Sequence, residues 1–418
     1  MKRVLIVGGG ASGLMAAIAA AGQGAKTTLL EKNRQTGRKL LSTGNGRCNF
    51  TNRDQGIAHY RTESADFVER ALRAFSAEDA VRFFEDLGMT VKDRGGWLYP
   101  GSGSAASVAE LLRLTAAEVG VKLACDTPVR SVWKENGRFL AETDGWTYEA
   151  DALILACGTE AAPQTGACGD GWRFAESFGH TVVTPLPALT GLCAAEQDCG
   201  KLAGVRADAE ATLTIIETSG EGEPRTYRET GEIQFASYGL SGIPVFQLSR
   251  YAARALHRGG TCRVRLNLCP QWEEERLLRF LRERKERAGQ RKGQTALLGV
   301  FPDKLSAVLL ERARIPAKKP MGDWTEDELL RLAGQIRGLA FTVTRCRGFE
   351  QAQVCTGGVP LGELSDVTME SALVPGLYLT GELLDVDGEC GGYNLQWAWT
   401  TGYLAGAAAA GKEKRPLC

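Results

Sequence analysis

The stretch VLIVGGGASGLMAAIAAAG, residues 4–22, decides the fold because it contains a buried strand, a glycine-rich turn and a helix in immediate succession. Four apolar residues, 4–7, form the strand, and the alanine-rich run after the turn is helical to about Gly22. A second strand, 27–32, follows the helix. This β-α-β order predicts a doubly wound α/β domain.

The turn carries the dinucleotide fingerprint Gly8-x-Gly10-x-x-Gly13. Gly8 permits the tight turn, Gly10 lets a pyrophosphate approach the backbone, and Gly13 lets the helix pack against the strand. Glu31 ends the second strand, where its carboxylate would accept hydrogen bonds from ribose hydroxyls. The fingerprint itself fits FAD and NAD equally. A long insertion before the domain is completed favours flavin, and the sequence has no second fingerprint for a separate NAD(P)H domain.

The segment GRKLLSTGNGRCNFTN, residues 37–52, leaves the carboxyl end of the second strand, where doubly wound sheets place ligands. Its glycines allow the backbone to come close to a flat ring or a phosphate. Its positive side chains, Arg38, Lys39 and Arg47, could offset pyrophosphate charge or favour an electron-rich flavin. Cys48 is either a neighbour of the flavin or a packed thiol, and the pattern leaves both interpretations open.

A second glycine-rich segment, residues 376–406, leads through Gly381-Glu382 and an acidic turn to a helix that starts near Asn394. A helix amino terminus aimed at the pyrimidine side of a flavin would stabilise negative charge there. The turn DVDGE does not fit a calcium loop, because that spacing requires an acid at Leu383 and a glutamate at Asn394. Twelve scattered cysteines without a C-x-x-C pair, and only three histidines, also argue against a metal site.

The sequence pattern changes twice after the first domain, from alternating polar and apolar positions to a helical pattern. Residues 188–270 alternate polar and apolar positions, which predicts an antiparallel, barrel-like β domain, and residues 271–337 predict a small helical domain. The run EEERLLRFLRERKER starts acidic and ends basic, which complements the helix dipole, and its many charges indicate a solvated helix face. Strand-and-glycine patterns then return, so the cofactor-binding domain is predicted to comprise 1–187 and 338–418.

Composition argues against several classes of protein. Lys plus Arg and Asp plus Glu both number 50, so the charge balance gives no electrostatic case for nucleic acid or an anionic membrane. The first apolar run is four residues long and no 18-residue apolar stretch follows, so neither a signal peptide nor a membrane span is expected. We expect a soluble, cytoplasmic protein whose cysteines are mostly small apolar fillers.

Five stretches resemble a known bacterial family along essentially the whole chain. They are GRKLLSTGNGRCNFTN (37–52), YPGSGSAASV (99–108), TGACGDGWRFAESFGH (165–180), GEIQFASYGLSGIPVFQLS (231–249) and GELLDVDGECGGYN (381–394). The family is one of NAD(P)/FAD-dependent oxidoreductases that includes the bile-acid-inducible steroid enone reductase and the aminoacetone-oxidase-like flavoproteins. This sequence departs from the family pattern at Thr43, Asn45 and the triplet Cys157-Gly158-Thr159.

The resemblance implies an FAD-binding Rossmann domain interrupted by a β-barrel-like domain and a helical domain. The implied cofactor is FAD, with NAD(P)H as a transient electron donor. Together with the fingerprint, it implies the following cofactor-binding residues: Gly8, Gly10, Ser12, Gly13, Glu31, Lys32, Arg38, Lys39, Gly44, Asn45, Gly46, Arg47, Cys48, Asn49, Val129, Gly158, Gly381, Glu382, Asp387, Gly392, Tyr393 and Asn394.

The activity implied by the resemblance is reduction of the C4=C5 and C6=C7 double bonds conjugated with the 3-keto group of bile acid intermediates, as in bile acid catabolism. A protein acid must protonate the α carbon, and Tyr238, Tyr393 and Arg47 are the candidate catalytic residues. Each of them could instead serve packing or cofactor binding. Two alternatives stay open: a flavin oxidase of a small amine such as aminoacetone, and a flavin-holding RNA-associated or regulatory protein without turnover.

Overall fold

The glycine-rich turn near the amino terminus joins a strand, Arg3–Val7, to a helix, Ala11–Gly22, as the sequence predicts. The computed structural model describes residues 1–217 and 223–411. They divide into two units, of which the first contains residues 1–186 and the chain from Val354 onward, and the second contains residues 187–353.

The helices and strands of the described residues are numbered in chain order. The strands are β1 (Arg3–Val7), β2 (Lys26–Leu30), β3 (Thr51–Asn52), β4 (Tyr60–Arg61), β5 (Val91–Arg94), β6 (Trp97–Pro100), β7 (Lys122–Ala124), β8 (Val129–Glu135), β9 (Arg138–Thr143), β10 (Thr147–Ala150), β11 (Ala152–Leu155), β12 (Val183–Ala188), β13 (Leu192–Ala194), β14 (Arg206–Ile216), β15 (Arg225–Ala236), β16 (Gly239–Ser241), β17 (Thr261–Asn267), β18 (Leu339–Cys346), β19 (Val354–Gly358), β20 (Leu377–Leu379) and β21 (Asp387–Gly388). The helices are α1 (Ala11–Gly22), α2 (Ala65–Ala74), α3 (Ala77–Asp86), α4 (Ala105–Glu118), α5 (Asp170–Ser177), α6 (Asp198–Leu202), α7 (Ile243–His257), α8 (Glu274–Arg287), α9 (Gly293–Ala296), α10 (Asp303–Arg312), α11 (Glu326–Gly338) and α12 (Tyr393–Ala409).

The first unit is built on a five-stranded parallel sheet in the order β20-β11-β1-β2-β7. Residues 4–7 and all of β11 are buried, which explains why these strands are continuous apolar runs rather than alternating ones. This doubly wound arrangement confirms the predicted fold class. The carboxyl ends of the strands define the edge at which such sheets bind ligands.

Helix α12 packs against α1 at very short range. A side chain at Gly402 would meet the carbonyl oxygen of Ser12 at 2.4 Å, and one at Gly406 would meet that of Ala16 at 2.3 Å. Two glycines four residues apart therefore let the backbones approach. The helix is apolar on nearly every side because it is buried on nearly every side. Within residues 1–217 and 223–411, no helix is long and apolar enough to cross a membrane.

The spacing Ser76-x-x-Asp79 is a capping-box pattern, and the structure has this capping box at the start of α3. The Ser76 side chain accepts from the Asp79 amide at 3.2 Å, and the Asp79 carboxylate accepts from the Ser76 amide at 2.8 Å. Ser76→Ala removes the first of these bonds, so we expect the free energy of unfolding to fall by about 1 kcal/mol. Chemical denaturation of the variant and the wild type measures the change. Ser76→Thr, whose hydroxyl can accept from the Asp79 amide and donate to the Asp79 carboxylate in the same way, should lose much less, and equal losses would contradict this explanation.

The second unit contains a closed six-stranded barrel in the order β13-β16-β15-β14-β17-β18, and its pairings are antiparallel. The barrel-like β domain predicted from the alternating pattern is therefore present. Strand β18 pairs with β17 on one side and β13 on the other. For this reason the chain returns to the first unit at Val354, later than residue 338, where the sequence placed the boundary.

The predicted helical domain does not form a unit of its own. Apolar residues of α8, α10 and α11, such as Leu281, Leu309 and Leu332, are buried in the same core as barrel residues such as Phe235 and Phe341. Residues 271–337 therefore belong to the same unit as the barrel. The sequence pattern predicts separate barrel and helical domains because the change from strand to helix is visible in the sequence, whereas the shared core is not.

Candidate cofactor and active site

The glycine turn between β1 and α1 has the shape that a pyrophosphate cradle needs. Gly8 has φ +106°, and a side chain there would meet the Ala156 carbonyl oxygen at 2.4 Å. A side chain at Gly13 would meet the carbonyl oxygen of Gly8 at 1.9 Å, whereas one at Gly10 would have no atom within 4 Å. Gly10 caps α1 without a side-chain hydrogen bond, so no capping side chain occupies the first amides of the helix. This open, positively polarised end fits an anionic group.

Glu31 lies beside this turn at the end of β2. Its Oε2 accepts from the Gly9 amide at 2.8 Å, and its Oε1 accepts from the amide and side chain of Asn33 at 2.8 and 2.6 Å. The carboxylate is 8% exposed. Asn33 in turn accepts from Arg38 at 2.9 Å. The acid expected to bind ribose is thus held in place by its neighbours, and Asn33 is a supporting residue that the sequence analysis missed.

The loop 37–52 is folded tightly at its glycine-rich centre. A 3₁₀ segment, Leu40–Gly46, is broken by left-handed conformations at Gly44 and Asn45, and Cys48 also has a positive φ of +58°. A side chain at Gly44 would meet the amide nitrogen of Asn49 at 2.8 Å, so glycine is required there. These conformations reverse the direction of the chain, so that Gly44 lies next to the backbone of Asn49.

Asn49 provides a direct test of whether the loop suits a cofactor. Its side chain is 7% exposed, yet neither Oδ1 nor Nδ2 has a hydrogen-bond partner among the described residues. A buried amide without partners is costly, and a bound group with polar atoms would remove that cost. The open end of α1 and this unsatisfied amide together fit a flavin dinucleotide.

Two neighbours of Asn49 differ sharply in their surroundings. Cys48 is fully buried, and burial raises the pKa of its thiol to about 12. It therefore stays protonated at neutral pH, as a packed thiol does, and its position next to the flavin stays a prediction. Arg47 is exposed at the end of the 3₁₀ segment.

Three predicted cofactor residues, Lys32, Lys39 and Glu382, form ion pairs within the first unit. Lys39 Nζ lies 2.6 Å from Glu382 Oε2, and Lys32 Nζ lies 3.4 Å from Asp170 Oδ2. Thr159 Oγ1 donates to the same Glu382 oxygen at 3.4 Å. Each of these two lysines thus forms an ion pair with a carboxylate. Of the other predicted residues, Ser12, Val129, Gly381 and Asp387 are buried, and Gly158 has φ +69° with open space where a side chain would be.

The segment that precedes α12, residues 381–392, is held in place by Asn394. Its Oδ1 accepts from the Gly388 amide and its Nδ2 donates to the Gly388 carbonyl, both at 2.8 Å. Gly392 has φ +95°, and a side chain there would meet the Thr51 backbone at 2.7 Å. Tyr393, the first residue of α12, is 5% exposed. The segment therefore passes close to Thr51, and Tyr393 lies next to His59 and Tyr60.

The three catalytic candidates fall in different places. Arg47 and Tyr393 belong to the first unit, whereas Tyr238 belongs to the second and lies in the turn between β15 and β16. There the Arg347 guanidinium lies 4.7 Å from the centre of the Tyr238 ring. Tyr238 is half-buried. Its part in catalysis stays a prediction.

Comparison with known proteins gives a consistent assignment. Residues 2–408 match the family model described as HI0933-like protein Rossmann domain. The chain is 41% identical to a 3-dehydro-bile acid delta(4,6)-reductase of Clostridium scindens, covering 98% of this chain and 99% of that protein. It is 30% identical to a ribosomal RNA dihydrouridine synthase of Haemophilus influenzae, covering 96% of each.

Among solved structures, the fold is similar to that of 3-ketosteroid delta1-dehydrogenase from Sterolibacterium denitrificans. The TM-score is 0.52 at 14% identity, and the match covers 98% of this chain and 100% of that one. At that identity the similarity concerns the fold alone. The full-length family match and the 41% identical relative carry the assignment. The chain therefore belongs to the HI0933-like Rossmann family, a family of flavoprotein oxidoreductases.

Proposed function

We propose that this protein is an FAD-dependent reductase of C=C bonds conjugated with the 3-keto group of steroid substrates, with NADH or NADPH as electron donor. The observation that carries the proposal is the 41% identity, over nearly the full length of both chains, to a 3-dehydro-bile acid delta(4,6)-reductase. The open amino terminus of α1 and the unsatisfied Asn49 amide support FAD as the cofactor.

We assign separate residues to the binding of FAD and to the protonation of the substrate. When bound, FAD would supply hydride for the carbon β to the substrate carbonyl. The amides at the start of α1, next to Gly10, would bind the pyrophosphate, and Glu31 would bind ribose hydroxyls. Asn49 would offer one donor and one acceptor to the cofactor. A protein acid, with Tyr393, Tyr238 and Arg47 as candidates, would protonate the α carbon.

A second substrate class is favoured by the relative at 30% identity, whose name concerns a uridine in ribosomal RNA. Reduction of a 3-oxo-4-ene steroid and conversion of uridine to dihydrouridine both add two hydrogens to a C=C bond conjugated with a carbonyl. The two relatives therefore support this reaction class together. The higher identity of the bile acid enzyme makes a steroid our first choice.

Anaerobic mixing of the FAD-loaded protein with NADH or NADPH tests the proposal. Flavin bleaching is followed at roughly 450 nm, and reoxidation is then started with a 3-oxo-4-ene steroid, with air, or with unmodified ribosomal RNA. Free FAD at the same concentration is the control. We expect rapid bleaching and reoxidation by the steroid, with formation of the saturated ketone.

Other outcomes distinguish the alternatives. Reoxidation by RNA but not by the steroid would favour the uridine substrate. Turnover with aminoacetone and air, without a nicotinamide, would favour an amine oxidase. A flavin that no donor reduces would favour a flavin-holding protein without turnover.

Replacing Glu31 tests the ribose contact. Glu31→Gln keeps the size of the side chain but removes its charge, and an amide has one acceptor oxygen where the carboxylate has two. We expect the Kd for FAD to rise about tenfold, measured by titration of apoprotein with flavin fluorescence. Glu135→Gln, at an exposed carboxylate that ends β8, should leave the Kd unchanged. Equal affinity in the Glu31 variant would exclude the ribose contact.

A further inference from the structure

Aromatic and charged side chains surround Tyr393 at the start of α12. The imidazole of His59 stacks on the Tyr393 ring, with ring centres 4.5 Å apart and planes 16° from parallel. Tyr60 contacts the same ring edge-on at 5.8 Å. The Tyr393 hydroxyl itself makes no hydrogen bond within the part of the chain that the structure describes. It is thus a donor left available at the start of α12.

His59 lies between two carboxylates. Its Nδ1 is 2.9 Å from Glu389 Oε2, and its Nε2 is 3.1 Å from Asp54 Oδ2. Ionised carboxylates only accept hydrogen bonds, so both ring nitrogens must carry a hydrogen. This geometry is that of an imidazolium cation. Glu389 also pairs with Arg61, so His59 is not the only cation available to that carboxylate.

The pKa values agree with this geometry. Burial lowers the pKa of His59, but its bonds to Glu389 and Asp54 outweigh burial and raise the pKa above its usual range. Burial, with the charges of Glu389 and Asp54, raises the pKa of Tyr393 to about 12. Loss of a proton from Tyr393 would therefore be unfavourable without a cation nearby. Protonated His59 is the cation that lies against its ring.

We propose that Tyr393 is the proton donor of the reaction and that His59 is a positioning residue, which holds a positive charge against the Tyr393 ring. This inference rests on the proposed function. Once the β carbon of the substrate has gained hydride, the electron pair of the enolate takes the hydrogen of Tyr393 Oη at the α carbon. The O–H bond breaks, a C–H bond forms and a phenolate remains on Tyr393. His59 offsets that negative charge until water restores the proton.

Histidine NMR tests the charge without relying on activity. The chain contains three histidines, so protein labelled at histidine gives three ring signals. The signal that is missing from His59→Gln belongs to His59. We expect the His59 signal to titrate with a midpoint above roughly 6.5. In Glu389→Gln the midpoint should fall. A midpoint at or below 6.5 in the wild type overturns the inference.

The kinetic test separates proton transfer from flavin reduction. Enzyme reduced anaerobically is mixed with the steroid enone, and His59→Gln should slow reoxidation about 10- to 100-fold. Reduction by NAD(P)H should change less than about twofold, because no proton from Tyr393 is needed in that half of the reaction. In the wild type the reoxidation rate should fall as pH rises through the His59 midpoint, and in His59→Gln this dependence should vanish.

A double variant distinguishes this role from simple structural support. Tyr393→Phe removes the donor, so adding His59→Gln to it should cause no further loss of rate. Additive losses would overturn the inference. If the wild type reduces no enone although its His59 titrates high, the proposed function fails and the role of Tyr393 as donor fails with it. If the wild type is active and His59→Gln is equally fast, only the inference fails.

Discussion

Gly13→Ala should destroy both the stability of the first unit and FAD binding, whereas Gly10→Ala should destroy FAD binding alone. A methyl group at position 13 would lie 1.9 Å from the carbonyl oxygen of Gly8, a fixed backbone atom. Either α1 or β1 must move, and we expect a loss of about 3 kcal/mol or more in the free energy of unfolding. Alanine is the better helix former, so propensity acts in the opposite direction and cannot explain such a loss.

The methyl group at position 10 would have no protein atom within 4 Å, and its φ of −78° suits alanine. Gly10→Ala should therefore lose no more than the cost of alanine in place of glycine at an N-cap, about 1 kcal/mol, when both proteins are free of cofactor. If the pyrophosphate approaches this backbone, the methyl group lies in its place, and FAD affinity should fall about 100-fold or more.

Thermal unfolding of the cofactor-free proteins and titration with FAD measure the two effects separately. A Gly10 variant that binds FAD as tightly as the wild type would place the pyrophosphate elsewhere. A Gly13 variant of normal stability would show that α1 can shift at little cost. Only the predicted combination, in which one variant loses binding and the other loses both, supports the cradle.

The fingerprint was predictable because its physics is local. Gly8, Gly13 and Glu31 lie within one β-α-β unit, and each is required by the backbone geometry of that unit. The capping box at Ser76 and the barrel strands of residues 188–270 are local in the same sense, since a short pattern determines each. Such features can be read from neighbouring residues without knowledge of the rest of the chain.

The parts that sequence reasoning missed depend on distant partners. His59 and Glu389 are 330 positions apart, and the local pattern around neither residue predicts that they pair. Strand β18 is a barrel strand because of its partners β17 and β13, not because of its own composition. Cys48 carries no sequence mark that distinguishes a fully buried thiol from a reactive one.

His180→Ala should lower the free energy of unfolding by about 3 kcal/mol and leave FAD affinity unchanged in the folded protein. The ring is buried and joins two segments: Nδ1 lies 2.7 Å from Glu363 Oε2, and Nε2 lies 2.8 Å from Ser371 Oγ. The Ser371 oxygen accepts from the amides of Leu373 and Val374 at 3.1 and 3.0 Å, so its own hydrogen points to His180. Nδ1 then carries the ring hydrogen and donates it to Glu363.

This row of Glu363, His180 and Ser371 has the connectivity of a hydrolytic triad, but its surroundings assign it a structural role. Ser371 is 5% exposed and its lone pairs are already occupied by backbone amides, so it cannot attack a substrate. Ser371→Ala should therefore leave any measured activity intact while lowering stability. Loss of activity in a stably folded Ser371→Ala protein would contradict the structural role.

The same row makes stability depend on pH in a defined direction. Burial raises the pKa of Glu363, but bonds from Thr181 and His180 outweigh burial and hold it below its usual range. Its stabilisation is therefore present above the unfolded pKa of roughly 4.3 and is lost as pH falls through the lower folded value. Glu363→Gln should be less stable at pH 7 and lose less stability on acidification, as measured by thermal unfolding at several pH values.

The control for His180→Ala is His257→Ala, at an exposed histidine, which should change the free energy of unfolding by less than about 0.5 kcal/mol. If His180→Ala were as mild as that control, the two segments would be held together by the surrounding apolar contacts rather than by the histidine.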